Sequence, residues 1–339
     1  MKPETIALHA GYAPDEQHAV AVPIHQTTSF AFDNAQHAAD LFDLKEVGNI
    51  YSRITNPTCG VLEQRVAALE GGVGALALAS GMAAITAAIQ TIAEAGDNIV
   101  SISELYGGTY NLFAHTLPRQ GITVRFADKD DLDAMAGLID ARTKAVYCES
   151  IGNPSGNIAD IARLAEIAHA HGVPLMVDNT VCSPMLLRPI EHGADIVVHS
   201  ATKYIGGHGT TIGGLIVDSG RFPWLDNAER FSLLTEPDVS YHGINYAKDA
   251  GEAAFITRAR VVPLRNMGGA MSAMNAWLFL QGLETLALRM ERVCFNTQRI
   301  AEYLDAHERV AWVSYAGLST HRDHHLAEKY MNGQASGIL

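Results

Sequence analysis

The chain has 339 residues, 48% of them hydrophobic and 18% charged, which is enough apolar material for a large core and a second, smaller domain. Its formal net charge of −13 carries no charged block, which argues against a nucleic-acid partner. No apolar run reaches the ~18 residues of a membrane span, and no signal-peptide pattern opens the chain. Four scattered cysteines (Cys59, Cys148, Cys182, Cys294) read as reduced thiols of a cytoplasmic protein.

Residues 1–60 lack sustained periodicity and carry the turn residues Gly11, Pro14, Pro23 and Asn56-Pro57, which reads as an arm reaching a neighbouring subunit. From residue 61 the pattern becomes regular. It predicts a helix over 61–70 closed by Gly71-Gly72, a strand over 75–79, a helix over 81–94 and a strand over 98–103. There follow a helix over 110–117, a strand over 123–127, a helix over 130–139, a strand over 145–149, a helix over 159–171 and strands over 174–178, 196–199 and 214–217. Apolar strands without alternation are buried on both faces, and their alternation with helices makes this an α/β fold: a mostly parallel seven-stranded sheet sandwiched by helices. After about residue 250 come long helices over 268–281 and 285–304 and a strand over 310–315, the start of an α+β domain. The expected division is an arm 1–60, a large domain 61–250 and a C-terminal domain 251–339, the last incomplete as in a truncated chain.

Chemistry gathers at the predicted strand ends, where ligands of such sheets bind. The run Asp195-Ile-Val-Val-His-Ser-Ala-Thr-Lys203 ends in Ser200, Thr202 and Lys203, then opens into Tyr-Ile-Gly-Gly-His-Gly. A second run, Leu175-Met-Val-Asp178, ends in a carboxylate. An amine flanked by hydroxyls, together with an acid, suits pyridoxal phosphate (PLP). Lys203 can form a Schiff base with its aldehyde, Ser200 and Thr202 can bind its phosphate, and Asp178 can keep its pyridinium protonated.

Weaker signals support the same reading. Ser80-Gly81-Met82 opens a helix after a strand, with free N–H groups that favour phosphate. Tyr51 and Arg53 lie in a fixed turn of the arm and can donate to the same phosphate. Tyr106 can stack on an aromatic cofactor and assist proton transfer. Asn153 can donate to a cofactor or substrate oxygen. The cluster His321-Arg-Asp-His324-His325 reads as a solvated loop, and no metal site is expected. A nucleotide-binding reading lacks its glycine-rich signature.

These motifs resemble the cystathionine γ-synthase-like family, PLP-dependent enzymes of cysteine and methionine metabolism with fold type I. The resemblance covers about Glu4 to Leu339 and rests further on Thr5-Ile-Ala-Leu-His-Ala-Gly-Tyr-Ala-Pro-Asp and Gly48-Asn-Ile-Tyr-Ser-Arg. Leu105-Tyr-Gly-Gly-Thr-Tyr-Asn-Leu-Phe and Leu234-Thr-Glu-Pro-Asp-Val-Ser-Tyr-His-Gly look like its sulfhydrylase branch. The resemblance implies Lys203 as Schiff-base lysine, Asp178 as pyridinium partner, and Ser80, Gly81, Met82, Ser200 and Thr202 at the phosphate. Tyr51 and Arg53 would reach a neighbour's phosphate, Tyr106 would stack on the ring, and Asn153 would sit near cofactor and substrate carboxylate. It further implies γ-replacement on O-acetyl-L-homoserine with sulfide or methanethiol, in a homo-oligomer that is at least a dimer and commonly a tetramer. Methionine γ-lyases of the family carry a cysteine where this chain has Gly108. The family's arginine for the substrate α-carboxylate would fall beyond Leu339. The alternatives are γ-elimination, cystathionine formation, or a chain that binds PLP without turnover.

Overall fold

The computed structural model describes residues 1–339, and its seven strands make one mostly parallel sheet. They are β1 (Gly74–Leu78), β2 (Asn98–Ile102), β3 (Thr123–Ala127), β4 (Thr143–Glu149), β5 (Leu175–Asp178), β6 (Ile196–His199) and β7 (Gly214–Asp218), in the order β1-β7-β6-β5-β4-β2-β3. The chain divides into two compact units, Met1–Ile92 with Ser200–Glu284, and Ala93–His199 with Thr285–Leu339.

In the first unit β1 and β7 pair antiparallel, Leu78 opposite Gly214. The helix Pro57–Glu70 forms from local signals. Asn56 Oδ1 accepts the Thr58 N–H at 3.0 Å, Pro57 takes the first turn, and Gly71 ends the helix at φ +80°. Arg65 on this helix is buried and donates from Nε to the Ala10 carbonyl at 2.9 Å, which anchors the start of the arm. The arm is more regular than its sequence suggests. Pro3 opens a helix over Pro3–His9, and Asn34 caps another over Ala35–Phe42, signals overshadowed by the surrounding turn residues.

One glycine of this unit reverses the usual rule. Gly282 lies inside the helix Ala273–Glu284, where alanine normally stabilises by about 1 kcal/mol. Here a Cβ would lie 2.5 Å from the Gly206 carbonyl oxygen and would also collide with that of Ile205. We expect Gly282→Ala to destabilise by about 1–3 kcal/mol through overpacking. A raised thermal midpoint would contradict this.

In the second unit β6, β5, β4, β2 and β3 are parallel neighbours. The edge strand β3 is partly exposed, while the inner strands are buried on both faces (all of Ile196–His199 and Asn98–Ile102 is buried), as a sheet covered on both sides requires. Asp195 ties its layers together. Its Oδ2 accepts the Leu175 N–H at 2.8 Å and contacts His169 Nε2, on the helix Ile161–Ala170, at 2.8 Å.

That bond to Asp195 raises the His169 pKa. A histidine titrating higher in the folded state stabilises fully below its unfolded value of about 6.5 and loses that contribution as pH rises through the folded value. The ring is 43% exposed, which limits the effect to about 1 kcal/mol. The wild-type advantage over His169→Gln in urea unfolding should therefore shrink from about pH 6 upward. A constant difference would contradict it.

Two elements differ from expectation. The helix expected over 110–117 starts earlier, at Gly107–Asn111, and widens into a π-helical turn over Leu112–Thr116 before Leu117–Arg119. Residues 310–315 form no strand, because a strand exists only through a paired neighbour and no segment pairs with this one. They run irregularly past the largely exposed Trp312 to the buried Tyr315.

Candidate active site

In the first unit the chain leaves β1, turns through Ala79-Ser80 and enters the helix Gly81–Ile92. Ser80 Oγ accepts the Ala83 N–H at 3.1 Å, so this hydroxyl caps the helix. The Gly81 and Met82 N–H groups belong to the first turn, whose donors have no partner within the helix and favour an anion. Two glycines bring backbone close here. A Cβ on Gly81 would lie 2.7 Å from Ser200 Cβ and 3.0 Å from its Oγ, and one on Gly214 would collide with the Ser80 carbonyl. Ser80, Gly81, Met82 and Ser200 thus form one cradle.

Lys203 sits on a tight turn beside it. Its N–H donates to the Ser200 carbonyl at 3.1 Å, and its carbonyl accepts the Gly207 N–H at 2.8 Å, leaving the side chain exposed. Thr202 Oγ1 accepts the Gly213 N–H at 3.1 Å and donates to the Gly213 carbonyl at 3.2 Å, so its one proton is committed to the loop. Tyr51 and Arg53 stand on the exposed arm, with the Arg53 guanidinium 5.3 Å from the Tyr51 ring centre. Arg260 holds that segment by donating to the Ile54 carbonyl at 2.8 Å and pairing with Glu63 at 2.6 Å.

In the second unit the register aligns strand ends. Glu149 lies opposite Asp178, and Asp178 opposite Val198. Asp178 Oδ1 accepts the Thr180 N–H at 3.0 Å and its hydroxyl at 2.5 Å, while Oδ2 has a long 3.5 Å bond from the Tyr147 phenol. Burial raises the Asp178 pKa, opposed by the Thr180 bonds and the nearby His199 charge. Burial and then the Asp178 charge also push the Glu149 carboxyl up. A cation placed at Asp178 Oδ2 would relieve this cost.

Tyr106 answers to Glu149, whose Oε1 accepts the Tyr106 N–H at 2.7 Å. The Tyr106 ring is half exposed. The reading of the sequence missed Glu149, Tyr147 and Thr180 around the acid. The signal available for Glu149 was its place at the end of β4, like that of Asp178 at the end of β5. His321 Nδ1 accepts the Asp323 N–H, His325 meets the Arg322 carbonyl and His324 the Ala316 carbonyl eight residues earlier. His324 and His325 open the helix His324–Met331, where a solvated loop was expected, and no three metal-type side chains converge anywhere in the chain.

A family model described as Cys/Met metabolism PLP-dependent enzyme matches residues 4–339. The chain belongs to this family. Among its relatives is homocysteine synthase of Schizosaccharomyces pombe, 54% identical over 338 residues, covering 99% of this chain and 79% of that one. O-acetyl-L-homoserine sulfhydrylase 1 of Thermus thermophilus is 51% identical over 342 residues, covering 100% of this chain and 81% of that one. The fold matches a crystal structure of a putative O-acetylhomoserine (thiol)-lyase from Campylobacter jejuni, which contains N'-pyridoxyl-lysine-5'-monophosphate. The TM-score is 0.97 at 42% identity, covering 99% of this chain and 84% of that one. The chemistry of the residues in each unit fits the family's cofactor. In the first unit, the helix mouth cleared by Gly81 and Gly214 is of a kind that takes a phosphate, and the exposed Lys203 amine of a kind that takes an aldehyde; in the second, the buried Asp178 carboxyl is of a kind that pairs with a protonated ring nitrogen.

Proposed function

We propose that the chain carries out γ-replacement on O-acetyl-L-homoserine, with sulfide giving homocysteine and acetate, and that methanethiol can replace sulfide to give methionine. The observation that carries this reading is the likeness, over nearly the whole chain and at about half identity, to proteins named homocysteine synthase and O-acetyl-L-homoserine sulfhydrylase. The N-terminal arm is assigned to contact with a neighbouring subunit, where Tyr51 and Arg53 would donate to that subunit's cofactor phosphate. This makes the protein at least a dimer. Its four buried cysteines, none in a disulfide, suit a cytoplasmic location.

Each residue has a part in the chemistry. PLP, when bound, supplies an aldehyde for amine exchange and a protonated ring that takes up an electron pair. Gly81 and Met82 N–H groups, Ser200 and Thr202 hold the phosphate, with Thr202 giving up its bond to Gly213. Asp178 keeps the ring nitrogen protonated. The Lys203 amine, released by the substrate amine, removes the substrate Cα proton and returns it at the end. A Cβ proton is lost as acetate leaves Cγ, hydrosulfide adds at Cγ and a proton returns to Cβ, so one acetate leaves for each sulfur gained. The Tyr106 phenol assists departure of acetate. Asn153 donates to the cofactor oxygen and substrate carboxylate.

Gly108 favours replacement over elimination, since the family's γ-lyases carry cysteine there. The test is to incubate the purified protein and PLP with O-acetylhomoserine, with and without sulfide. Homocysteine formed only with sulfide supports the proposal. Ammonia and a keto acid without sulfide would mean a γ-lyase, and cystathionine formed when cysteine is supplied would mean a cystathionine synthase. A visible cofactor band with no turnover would mean a chain that binds without catalysis.

A further inference from the structure

We propose that Glu149 is a positioning residue that holds Tyr106 where the proposed cofactor ring meets it. This rests on the reading of Tyr106 as the stacking residue. Glu149 is the last residue of β4 and is only 4% exposed. Its Oε1 accepts the backbone N–H of Tyr106, on the loop after β2, at 2.7 Å.

The Tyr106 side chain has little else to place it. Its ring is 49% exposed and leans over Gly108, where a Cβ would lie 2.5 Å from ring atom Cε1. An exposed ring is only as well placed as its backbone. The Tyr106 carbonyl is already held by the Tyr110 N–H at 2.9 Å, as the start of the helix Gly107–Asn111, and Glu149 holds the opposite side of the same residue through its N–H. The loops after β4 and β2 also touch, since a Cβ on Gly152 would lie 3.1 Å from the Glu104 carbonyl oxygen.

The energetics support a specific role over simple filling of space. Burial and the facing Asp178 both disfavour a carboxylate at this position, and the Tyr106 N–H bond offsets part of that cost. An apolar side chain of similar size would avoid that cost but leave the Tyr106 N–H without its acceptor, a loss of about 1–3 kcal/mol, or on the order of 10- to 100-fold in local opening.

The experiment compares Glu149→Leu with Glu149→Gln, which keeps a carbonyl acceptor. Amide hydrogen exchange is followed on protein freed of cofactor, and visible circular dichroism after PLP is added. We expect Leu to speed exchange at Tyr106 on the order of 10- to 100-fold, with the interior of β4 changed less than about threefold. The Gln variant should stay within about threefold of wild type. The cofactor dichroism should weaken in Leu and recover in Gln. Equal behaviour of the two variants, or a uniform rise across the unit, overturns the proposal. If Leu does not fold, Glu149→Asp withdraws the acceptor by one methylene, and an unchanged Tyr106 amide there overturns it equally. A wild-type protein that takes up no PLP would defeat the proposed function while leaving the exchange result readable. A wild type that binds PLP, with a Tyr106 amide indifferent to Leu, defeats this inference alone.

Discussion

Replacing Lys203 by alanine is expected to lower turnover of O-acetylhomoserine by ~10³-fold or more and to abolish the visible band of the lysine-bound cofactor, with little effect on the fold. Lysine is asked both to link covalently to the cofactor and to move the Cα proton, and proton transfer alone contributes ~10²–10⁴-fold. The fold should tolerate the change because what ties residue 203 into its turn is backbone: its N–H to the Ser200 carbonyl and its carbonyl to the Gly207 N–H. An exposed side chain away from the core normally changes stability by less than ~0.5 kcal/mol. Absorption, turnover and thermal unfolding of the same preparation give the check. A variant that keeps its band and turns over within tenfold of wild type would remove Lys203 from the mechanism.

The second large effect is expected at Asp178. An amide cannot hold a proton on a ring nitrogen, so Asp178→Asn should lower kcat on the order of 10²-fold or more while PLP still binds through its phosphate. Stability should move the other way. In the cofactor-free protein, burial raises the carboxyl of Asp178, and burial with the Asp178 charge raises that of Glu149. Acids that hold protons more tightly folded than unfolded make folding take up protons, so stability falls as pH rises above the unfolded carboxylate value of ~4. Asn at 178 removes one of these acids and relieves the other. The cofactor-free variant should lose less stability between about pH 5 and 8 than wild type does. Urea unfolding across that range tests this, and parallel pH profiles would contradict it.

These expectations draw on two kinds of information. Lys203 and Asp178 were legible because each ends an apolar run, and a buried parallel strand writes itself as such a run. The Ser80-Gly81-Met82 junction was legible because a strand, a turn and a helix follow one another along the chain. Glu149 was not, although it ends a run in the same way. Its significance depends on facing Asp178 across β4 and β5 and on reaching an N–H 43 residues earlier, relations that only register and loop packing create. Thr202 was legible as a hydroxyl beside the lysine, yet its bond to Gly213 comes from a loop that closes over it.

Local sequence by itself determined the alternation of strands and helices, their order, and the residues standing at strand ends, because periodicity and capping act over a few neighbouring residues. Tertiary structure decided what needs a distant partner. Residues 310–315 read as a strand but find no ladder to join, and Gly214 clears space for a carbonyl 134 residues before it. Glu149 and Asp178 both acquire their raised titration from burial, and Glu149 from the facing Asp178 as well. Pairing, close backbone approach and desolvation are properties of contacts, and a one-dimensional pattern carries no term for them.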